Sequence, residues 1–350
     1  MIQYRPATHL DNQQLLELTA ATGMQGDISL LIDRQPDFFR LLEKRGQTKV
    51  FVAQDEERII GSLSVSCQSV YVDRTVLPVQ YIGDFKVYES YRNQGIGLKL
   101  CDELADYVIS AGADLAFLNV SKGNKKPISF FKNRPHIPDF DQIGIFHIHQ
   151  FIGRKKKPSS RRYVIKKSVA TPAVIHFLNE HYCRYELGTV ITKENIEHAD
   201  IFIIEENETI RGVLCLTDTM QYKQNIVMKL SWRMKNLVML LNLFRDILGI
   251  SKMPLLREPV KMMYIKYLAV THHEREIVRL LLDHARNIIY EKDYSFVSIG
   301  IHEKDPLNAC FSGIFKLTFK SVGMLLSIKG NRQLIEKVKK GVPFEDYSLV

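Results

Sequence analysis

The stretch of sequence that decides the fold is residues 81–98, which reads YIGDFKVYESYRNQGIGL. Its first part, ending at Val87, has the aromatic and β-branched composition of a strand. After a polar loop, Gly95 and Gly97 open a helix whose apolar residues recur at helical spacing as far as Ser110. Unpaired N–H groups and the dipole at such a helix start favour a bound anion, so the segment predicts a phosphate site.

The glycine pattern also excludes two common phosphate-binding motifs. It is not the dinucleotide pattern G-x-G-x-x-G, and no Gly-Lys-Ser/Thr follows it as in a P-loop. Its form is Arg-x-x-Gly-x-Gly, running from Arg92 to Gly97.

Outward from this segment, the first half alternates predicted strands and helices. The expected order is a strand near residues 2–6, a helix capped by Asp11, a second helical segment near 28–42, strands at Lys49–Ala53, Ile59–Ser66 and Tyr81–Val87, the helix to Ser110, and a strand at Leu115–Val120.

The second half repeats this order, which indicates a duplicated domain. Three segments match in sequence: VFV at 50–52 with IFI at 201–203, YI at 81–82 with YI at 264–265, and AFL at 116–118 with SFV at 295–297. The second copy carries an insert, residues 221–259, with a predicted helix over Arg233–Leu248. This apolar helix has three possible roles: it packs on the sheet, it forms a homodimer contact, or it forms a wall of a pocket for an apolar acceptor or a long acyl chain.

At this point the sequence resembles a known family. The run Arg92–Gly97 is similar to motif A of the GNAT superfamily of N-acetyltransferases, which follows the fourth strand, and residues 124–131 resemble motif B. The resemblance implies an α/β (α+β) fold with two tandem GNAT-like domains, each a mixed, mostly antiparallel sheet flanked by helices. The predicted division is a domain over 1–153, a basic linker over 154–162, and a second domain over 163–350.

The resemblance also implies the co-substrate, acetyl-CoA or a related acyl-CoA, with no metal. Its pyrophosphate would lie on the turn and helix start, its pantetheine arm along the preceding strand, and further contacts in motif B. The residues implied are Phe85, Lys86, Val87, Arg92, Asn93, Gln94, Gly95, Ile96, Gly97, Leu98, Asn124 and Phe131.

The catalytic residues are less clear from the sequence, because the chain departs from the family pattern. Phe131 stands where many members carry a tyrosine general acid, and Gly83 stands where some carry a glutamate base. Asp84 is the nearest carboxylate and the candidate base, and Tyr81 is a candidate proton donor. His147 alternates with His149 on a late strand and offers a second candidate base.

The second copy is predicted to have lost the acyl-CoA site. Aligning the halves places residues 273–278, HEREIV, over Arg92–Gly97. Both glycines are replaced, and the acids Glu274 and Glu276 would repel a phosphate. We expect this half to wall the acceptor pocket.

Composition limits the classes of partner that the protein is expected to bind. The net charge of +9 is concentrated in the segment 154–167, which carries eight basic and no acidic residues, and no aromatic ladder accompanies it. Nucleic acid is therefore disfavoured as a partner. No apolar run is long enough to suggest a membrane partner, and five scattered cysteines indicate reduced thiols in a cytoplasmic protein.

These observations predict an acyl-CoA-dependent N-acyltransferase, with acetyl as the expected acyl group and a small-molecule amine as acceptor. The amine would attack the thioester directly in a ternary complex. Two alternatives stay open: an acyl-CoA-binding sensor without turnover, and an acyltransferase with a macromolecular acceptor.

Overall fold

The computed structural model describes residues 1–22, 28–122 and 139–350. The strands are β1 (Gln3–Pro6), β2 (Ile28–Asp33), β3 (Gln47–Asp55), β4 (Arg58–Val72), β5 (Thr75–Val87), β6 (Leu115–Ser121), β7 (Asp141–Ile152), β8 (Ile165–Ser168), β9 (Gly188–Thr189), β10 (Asp200–Glu206), β11 (Thr209–Asp218), β12 (Gln224–Leu230), β13 (Met262–Val270), β14 (Phe296–His302) and β15 (Leu317–Ser327). The helices are α1 (Asn12–Ala21), α2 (Phe39–Glu43), α3 (Ile96–Ser110), α4 (Pro172–Tyr182), α5 (Lys193–Ile196), α6 (Trp232–Leu248), α7 (Arg275–Glu291), α8 (Leu307–Cys310) and α9 (Arg332–Lys340).

One large sheet joins the two halves of the chain. Its order is β1-β3-β4-β5-β6-β15-β7-β14-β13-β11-β10-β8, with β9 paired to β4. The pairs β5–β6 and β13–β14 are parallel, and the other neighbours are antiparallel. The mixed, mostly antiparallel sheet flanked by helices is as predicted.

The halves exchange strands at the centre of this sheet. β15, from the end of the chain, pairs with β6 of the first half. β7, from the first half, pairs over Phe146–Ile152 with β14 of the second, and β7 and β15 pair with each other. The predicted division near residues 153–163 thus follows the order of the chain, whereas in space each half is completed by a strand of the other.

The strand registers reveal the internal repeat directly. Gly61 faces Val87 between β4 and β5, and Gly212 faces Val270 between β11 and β13. A Cβ at Gly61 would meet Ile96 at 3.4 Å, and a Cβ at Gly212 would meet Ile277 at 2.7 Å. Ile96 and Ile277 are therefore equivalent, as the sequence alignment of 92–97 with 273–278 predicts.

Two sequence predictions are wrong in detail. Residues 28–33 form β2, which pairs with β12 of the insert, and the helix begins only at Phe39. The third repeat match is shifted by two residues: Leu115 and Phe296 hold the same register against the parallel neighbours, so Phe117 is equivalent to Ser298. The insert helix is confirmed as α6, Trp232–Leu248.

The sheet has two faces with different roles. α3 covers apolar side chains such as Leu63 and Ile82, and α7 covers their counterparts Leu214 and Ile265; we call this the α3/α7 face. The opposite face carries residues that alternate with these, among them Tyr81. Within the described residues, no helix is both long enough and apolar enough to cross a bilayer.

Candidate functional site

The centre of the first half is a split between two parallel strands. β5 and β6 pair only where Val79–Tyr81 face Leu115–Phe117. Beyond that point β6 pairs with β15 through Ser121, while β5 continues to Val87 without a further strand partner on that side among the described residues. The divergence opens a gap in the sheet that faces the start of α3.

A β-bulge lies on the β5 side of this gap. Ser62 faces Lys86 and Ser64 faces Gly83, so two residues, Asp84 and Phe85, stand opposite Leu63 alone. Asp84 has a left-handed φ of 50°, and its carbonyl accepts a 3.1 Å hydrogen bond from the Ser62 hydroxyl. Bulges of this kind redirect backbone and side-chain groups next to active sites.

The start of α3 has the geometry of an anion cradle. Gly95 adopts a left-handed φ of 79°, and a Cβ there would meet nothing within 4 Å, so the turn is open to solvent. The Lys99 N–H donates to the Gly95 carbonyl at 3.1 Å. The N–H groups of residues 96–98 precede that bond and have no carbonyl one turn back in the helix, which leaves them available to an anion.

Two predicted cofactor residues hold the loop in place. The Arg92 guanidinium donates to the Val87 carbonyl at 3.2 Å, and the Gln94 amide donates to the Ser90 carbonyl at 3.1 Å. Asn93 has a left-handed φ of 64°, and Leu98 is 44% exposed on the first turn of the helix. Residues 92–95 and Leu98 are therefore exposed at the open end of the gap, whereas the Ile96 side chain is buried beneath the sheet contact.

Asp84 is buried among cations on the opposite face of the sheet. Its carboxylate accepts hydrogen bonds from Arg34 and Lys86, each at 2.8 Å, and the three side chains are only 5–11% exposed. Burial alone would raise the pKa of the Asp84 carboxyl, but the attraction of Arg34 and Lys86 outweighs it and holds the pKa well below its usual range. Asp84 is thus an ionised structural partner of two cations and a weak proton acceptor.

Two further buried groups near this cluster titrate close to neutrality. Lys223, which donates to the Val350 carbonyl oxygen, has its pKa lowered to about 7 by burial and by repulsion from cations including Arg34. Burial likewise raises the pKa of Glu345 to about 7, although Arg45 lies 2.8 Å from its carboxylate and opposes the shift. Groups with a pKa near 7 are suited to proton transfer at neutral pH.

Tyr81 stands between these charges and the gap. The Arg45 guanidinium lies 3.6 Å from the centre of its ring, and burial raises the pKa of its hydroxyl above the ordinary value of a tyrosine. Asn119, on β6, accepts a hydrogen bond from Tyr347 at 3.2 Å. Its Nδ2 is buried and, within the described residues, makes no hydrogen bond of ordinary geometry. The Asn119 side chain nevertheless interacts with the Tyr81 hydroxyl and opposes the rise in its pKa, so this donor lies beside that hydroxyl.

The structure separates His147 from Asp84 and Tyr81. His147 and His149 share one face of β7, with ring centres 5.8 Å apart. Their neighbours are Asn308, 3.5 Å from His147, and Phe311, both on the α3/α7 face. The sheet thus lies between His147 and the other two candidate residues, and His147 stays a separate candidate base on the α3/α7 face.

Some of the predicted site lies elsewhere or was missed. Asn124 and Phe131 fall outside the described residues. Sequence reasoning missed the groups of the cluster that come from distant segments: Arg34, Arg45, Asn119, Lys223 and Glu345. In the sequence, these residues are distinguished only as charged or amide residues next to apolar runs. Many surface residues share this feature.

The equivalent site of the second half is closed. Glu274, before α7, accepts a 2.7 Å hydrogen bond from Tyr163, and Glu276 accepts one from Ser160 of the linker at 2.8 Å. The gap beyond the β13–β14 pair is filled, since a Cβ at Gly300 would lie 1.9 Å from the Tyr347 ring. Two acids, the linker and an aromatic ring occupy the positions that phosphates and a cofactor arm would need.

Comparisons with known proteins agree with this geometry. Residues 16–134 match the model of the Acetyltransferase (GNAT) family. The chain is similar in structure to Saccharomyces cerevisiae N-myristoyltransferase with bound myristoyl-CoA, at 11% identity and a TM-score of 0.64, covering 93% of this chain and 79% of that one. It is also similar to a GCN5-related N-acetyltransferase from Anabaena variabilis ATCC 29413, at 10% identity and a TM-score of 0.54, covering 94% and 73%. No curated protein sequence matches the chain.

At such identities the structural similarity establishes the fold, and the family match adds the class. Residues 16–134 belong to the GNAT family of acetyltransferases, and the chain has two GNAT-like folds in tandem. The family match supports an acyl-CoA-dependent acyltransferase in general.

Proposed function

We propose that the protein transfers an acyl group, acetyl in the first instance, from its CoA thioester to a primary amine by direct attack in a ternary complex. The observation that carries this proposal is the exposed left-handed turn at Gly95, which presents the free N–H groups of α3 at the mouth of the β5–β6 gap. The same arrangement in the second half is closed, so one acyl-CoA would bind per chain.

Different residues of the first half would bind different parts of the co-substrate. The amides of residues 96–98 would bind the pyrophosphate, and the β5 backbone at 85–87 would lie along the pantetheine arm. The Phe85 and Val87 side chains pack into the core beneath α3. The Asn119 side chain, on β6, would donate its Nδ2 to a carbonyl of the arm or of the thioester.

We assign proton transfer to groups on the opposite face of the sheet. An amine is protonated at neutral pH and must lose a proton before it attacks. Asp84 was the predicted acceptor, but its two ion pairs weaken it. Lys223 and Glu345, each with a pKa of about 7, are better matched to this step. Asp84 then acts by fixing Arg34 and Lys86.

The main competing function is a sensor that binds acyl-CoA without turnover. The specific observation in its favour is that Asp84, the carboxylate nearest the gap, is held by two cations. A sensor would need the cradle and the gap but no proton acceptor.

Release of free thiol from acetyl-CoA in the presence of a panel of amino acids, polyamines and amino sugars tests the proposal. An acceptor that accelerates release, with the acylated amine found by mass spectrometry, supports an N-acyltransferase. Micromolar binding of acetyl-CoA, with release unchanged by every acceptor, would instead support the sensor.

A further inference from the structure

The insert helix α6 carries apolar side chains on both its inner and its outer side. On the inner side, Val238 is buried and Leu241 is half-buried against the sheet. The outer side holds five large apolar side chains within about 100° of one another around the helix, each 52–83% exposed: Trp232, Met239, Leu240, Leu243 and Ile247. We call these five residues the α6 strip, and Asn236 is the one polar residue in the same sector. A surface helix ordinarily keeps its outer side polar, so this exposed apolar side indicates an interaction surface.

The α6 strip is too small to hold a second copy of the chain by itself. α6 has 17 residues, which makes it about 25 Å long and about 10 Å wide, so its outer side offers about 250 Å². A stable protein interface buries about 800 Å² on each partner. A lipid surface has no such requirement, because a helix that lies in the interface inserts its own apolar side among the headgroups and acyl chains.

Basic side chains flank the α6 strip on both sides. Arg233 and Lys235 are exposed and lie about 80° to either side of Leu243 around the helix. The single acid of the helix, Asp246, lies 3.5 Å from Arg245. Lysine and arginine in flanking positions lay their stems along apolar surface and keep their charged ends at the level of the headgroups.

The basic linker begins at the C-terminal end of the same helix. The Lys155 N–H donates to the carbonyl of Gly249, the residue that follows α6, at 2.8 Å. Residues 154–157, RKKK, are all exposed. Within the described part of the chain, Lys157 alone of these four makes an ion pair, with Glu291 at 3.5 Å. A cluster of cations beside an apolar helix complements the negative charge of an anionic lipid surface.

We propose that α6 and residues 154–157 form a docking surface for an anionic lipid bilayer. The α6 strip enters the headgroup region, and the flanking cations bind lipid phosphates. The helix lies in the plane of the surface and does not cross it, so the length of apolar runs in the sequence does not reveal it. This inference goes beyond the proposed function, because lipid docking needs neither acyl-CoA nor an acceptor.

The chain carries its own probe for this surface. Trp232 is its single tryptophan and belongs to the α6 strip, so tryptophan fluorescence reports on the strip directly. The intact protein would be mixed with vesicles of phosphatidylcholine alone or with about one third phosphatidylglycerol, and binding would be measured by sedimentation. On the anionic vesicles we expect binding, a blue shift of Trp232 emission, and quenching by phosphatidylcholine brominated on its acyl chains.

The apolar contribution is tested by a variant that keeps the net charge. Leu243→Gln combined with Ile247→Gln removes the centre of the α6 strip, where the side chains are 75% and 83% exposed, so the fold should be retained. Each side chain is worth about ten-fold in affinity, so the double variant should bind anionic vesicles about 100-fold more weakly. Ile109→Gln is the matched control, because Ile109 is an apolar residue of α3 with 55% exposure and should be dispensable for binding.

The electrostatic contribution is tested at the linker. Each basic residue near an anionic surface is worth about five-fold in affinity, so neutralising the three lysines at 155–157 with glutamine should weaken binding about 100-fold at low salt. Raising the salt from about 0.1 M to about 0.5 M should weaken the wild type as well.

Three outcomes would overturn the inference. The first is a wild-type protein that does not bind anionic vesicles. The second is binding with Trp232 emission neither shifted nor quenched, or binding that the Leu243 and Ile247 double variant retains, since either shows adsorption by net charge alone. The third is a blue shift that grows with protein concentration without lipid, together with a dimer mass in analytical ultracentrifugation, which would assign the α6 strip to a second copy of the chain.

Discussion

Replacing Asp84 by asparagine tests the most unusual electrostatic feature of the molecule. The change preserves the size of the side chain and its ability to accept hydrogen bonds, but it removes the negative charge between Arg34 and Lys86. Both cations are nearly buried, at 7% and 11% exposure, and Lys223 adds a third basic group nearby. Without the carboxylate they repel each other where water screens little.

The expected loss is large. Removing one partner of a buried ion pair typically costs about 3–5 kcal/mol, because the other charge is left buried without compensation. A domain's whole stability is about 5–15 kcal/mol, so the variant should be folded but strongly weakened at pH 7. If Asp84 also serves as a base, turnover falls by about 10²–10⁴-fold while the acyl-CoA dissociation constant changes little.

Urea unfolding followed by circular dichroism from pH 3.5 to 8 measures this loss. The folded-state pKa of Asp84 is depressed, so its stabilisation is fully present above the unfolded pKa of about 4 and is lost as the pH falls further. The difference in stability between wild type and variant should thus be fully developed at pH 5 and narrow below about 4. Asp246→Asn is the control, since Asp246 is 87% exposed beside Arg245 and its loss should cost under about 1 kcal/mol. A variant of Asp84 as stable as the control at pH 7 would refute the reasoning.

Three further predictions address the cradle, the buried lysine and the linker. Gly95→Glu should abolish acetyl-CoA binding in calorimetry, whereas Gly112→Glu, at the other end of α3 with the same left-handed backbone and open space, should bind normally despite similar strain; two equivalent sites per chain would contradict the single cradle. The pKa of Lys223 is about 7 in the folded state, so above that pH the unfolded chain binds one more proton than the folded chain. The free energy of unfolding should therefore rise by up to about 1.4 kcal/mol per pH unit from pH 7 to 9. Lys223→Met should remove this slope, and a slope unchanged in the variant would show that the Lys223 side chain is solvated. Neutralising the three lysines at 155–157 should leave the kinetics with a neutral amine unchanged at every salt concentration, and a salt-dependent Michaelis constant that disappears with them would instead indicate an anionic acceptor.

Local features of the fold could be predicted because they depend on neighbouring residues. The strand, turn and helix around Gly95 are encoded within residues 81–110, and the structure has them where the sequence predicts. The repeat could be predicted from short matching strand segments, and in the structure Gly61 and Gly212 make the same close contact with an isoleucine of the following helix.

Features that depend on distant pairing were not predictable. Residues 28–33 have apolar positions that fit a helix as well as a strand, and their partner β12 lies in an insert nearly 200 residues away. The alternating apolar and polar residues of β7 fit a strand in either half of the sheet. Periodicity therefore does not reveal that β7 pairs with β14 of the second half. The charged cluster unites Arg34, Asp84, Lys223 and Glu345, which no local pattern connects.

The exchange of β7 and β15 has a consequence for the history of the chain. Two identical one-domain ancestors that traded their final strands would form a symmetric, interlocked dimer, the arrangement known as domain swapping. Joining the end of one subunit to the start of the other would give the present connectivity with no strand moved. Neither half could then fold as an autonomous unit, because each would lose the strand that the other half contributes and would expose an unpaired strand edge. The second copy could therefore lose its phosphate-binding turn, whereas its sheet had to be retained because the first half depends on it.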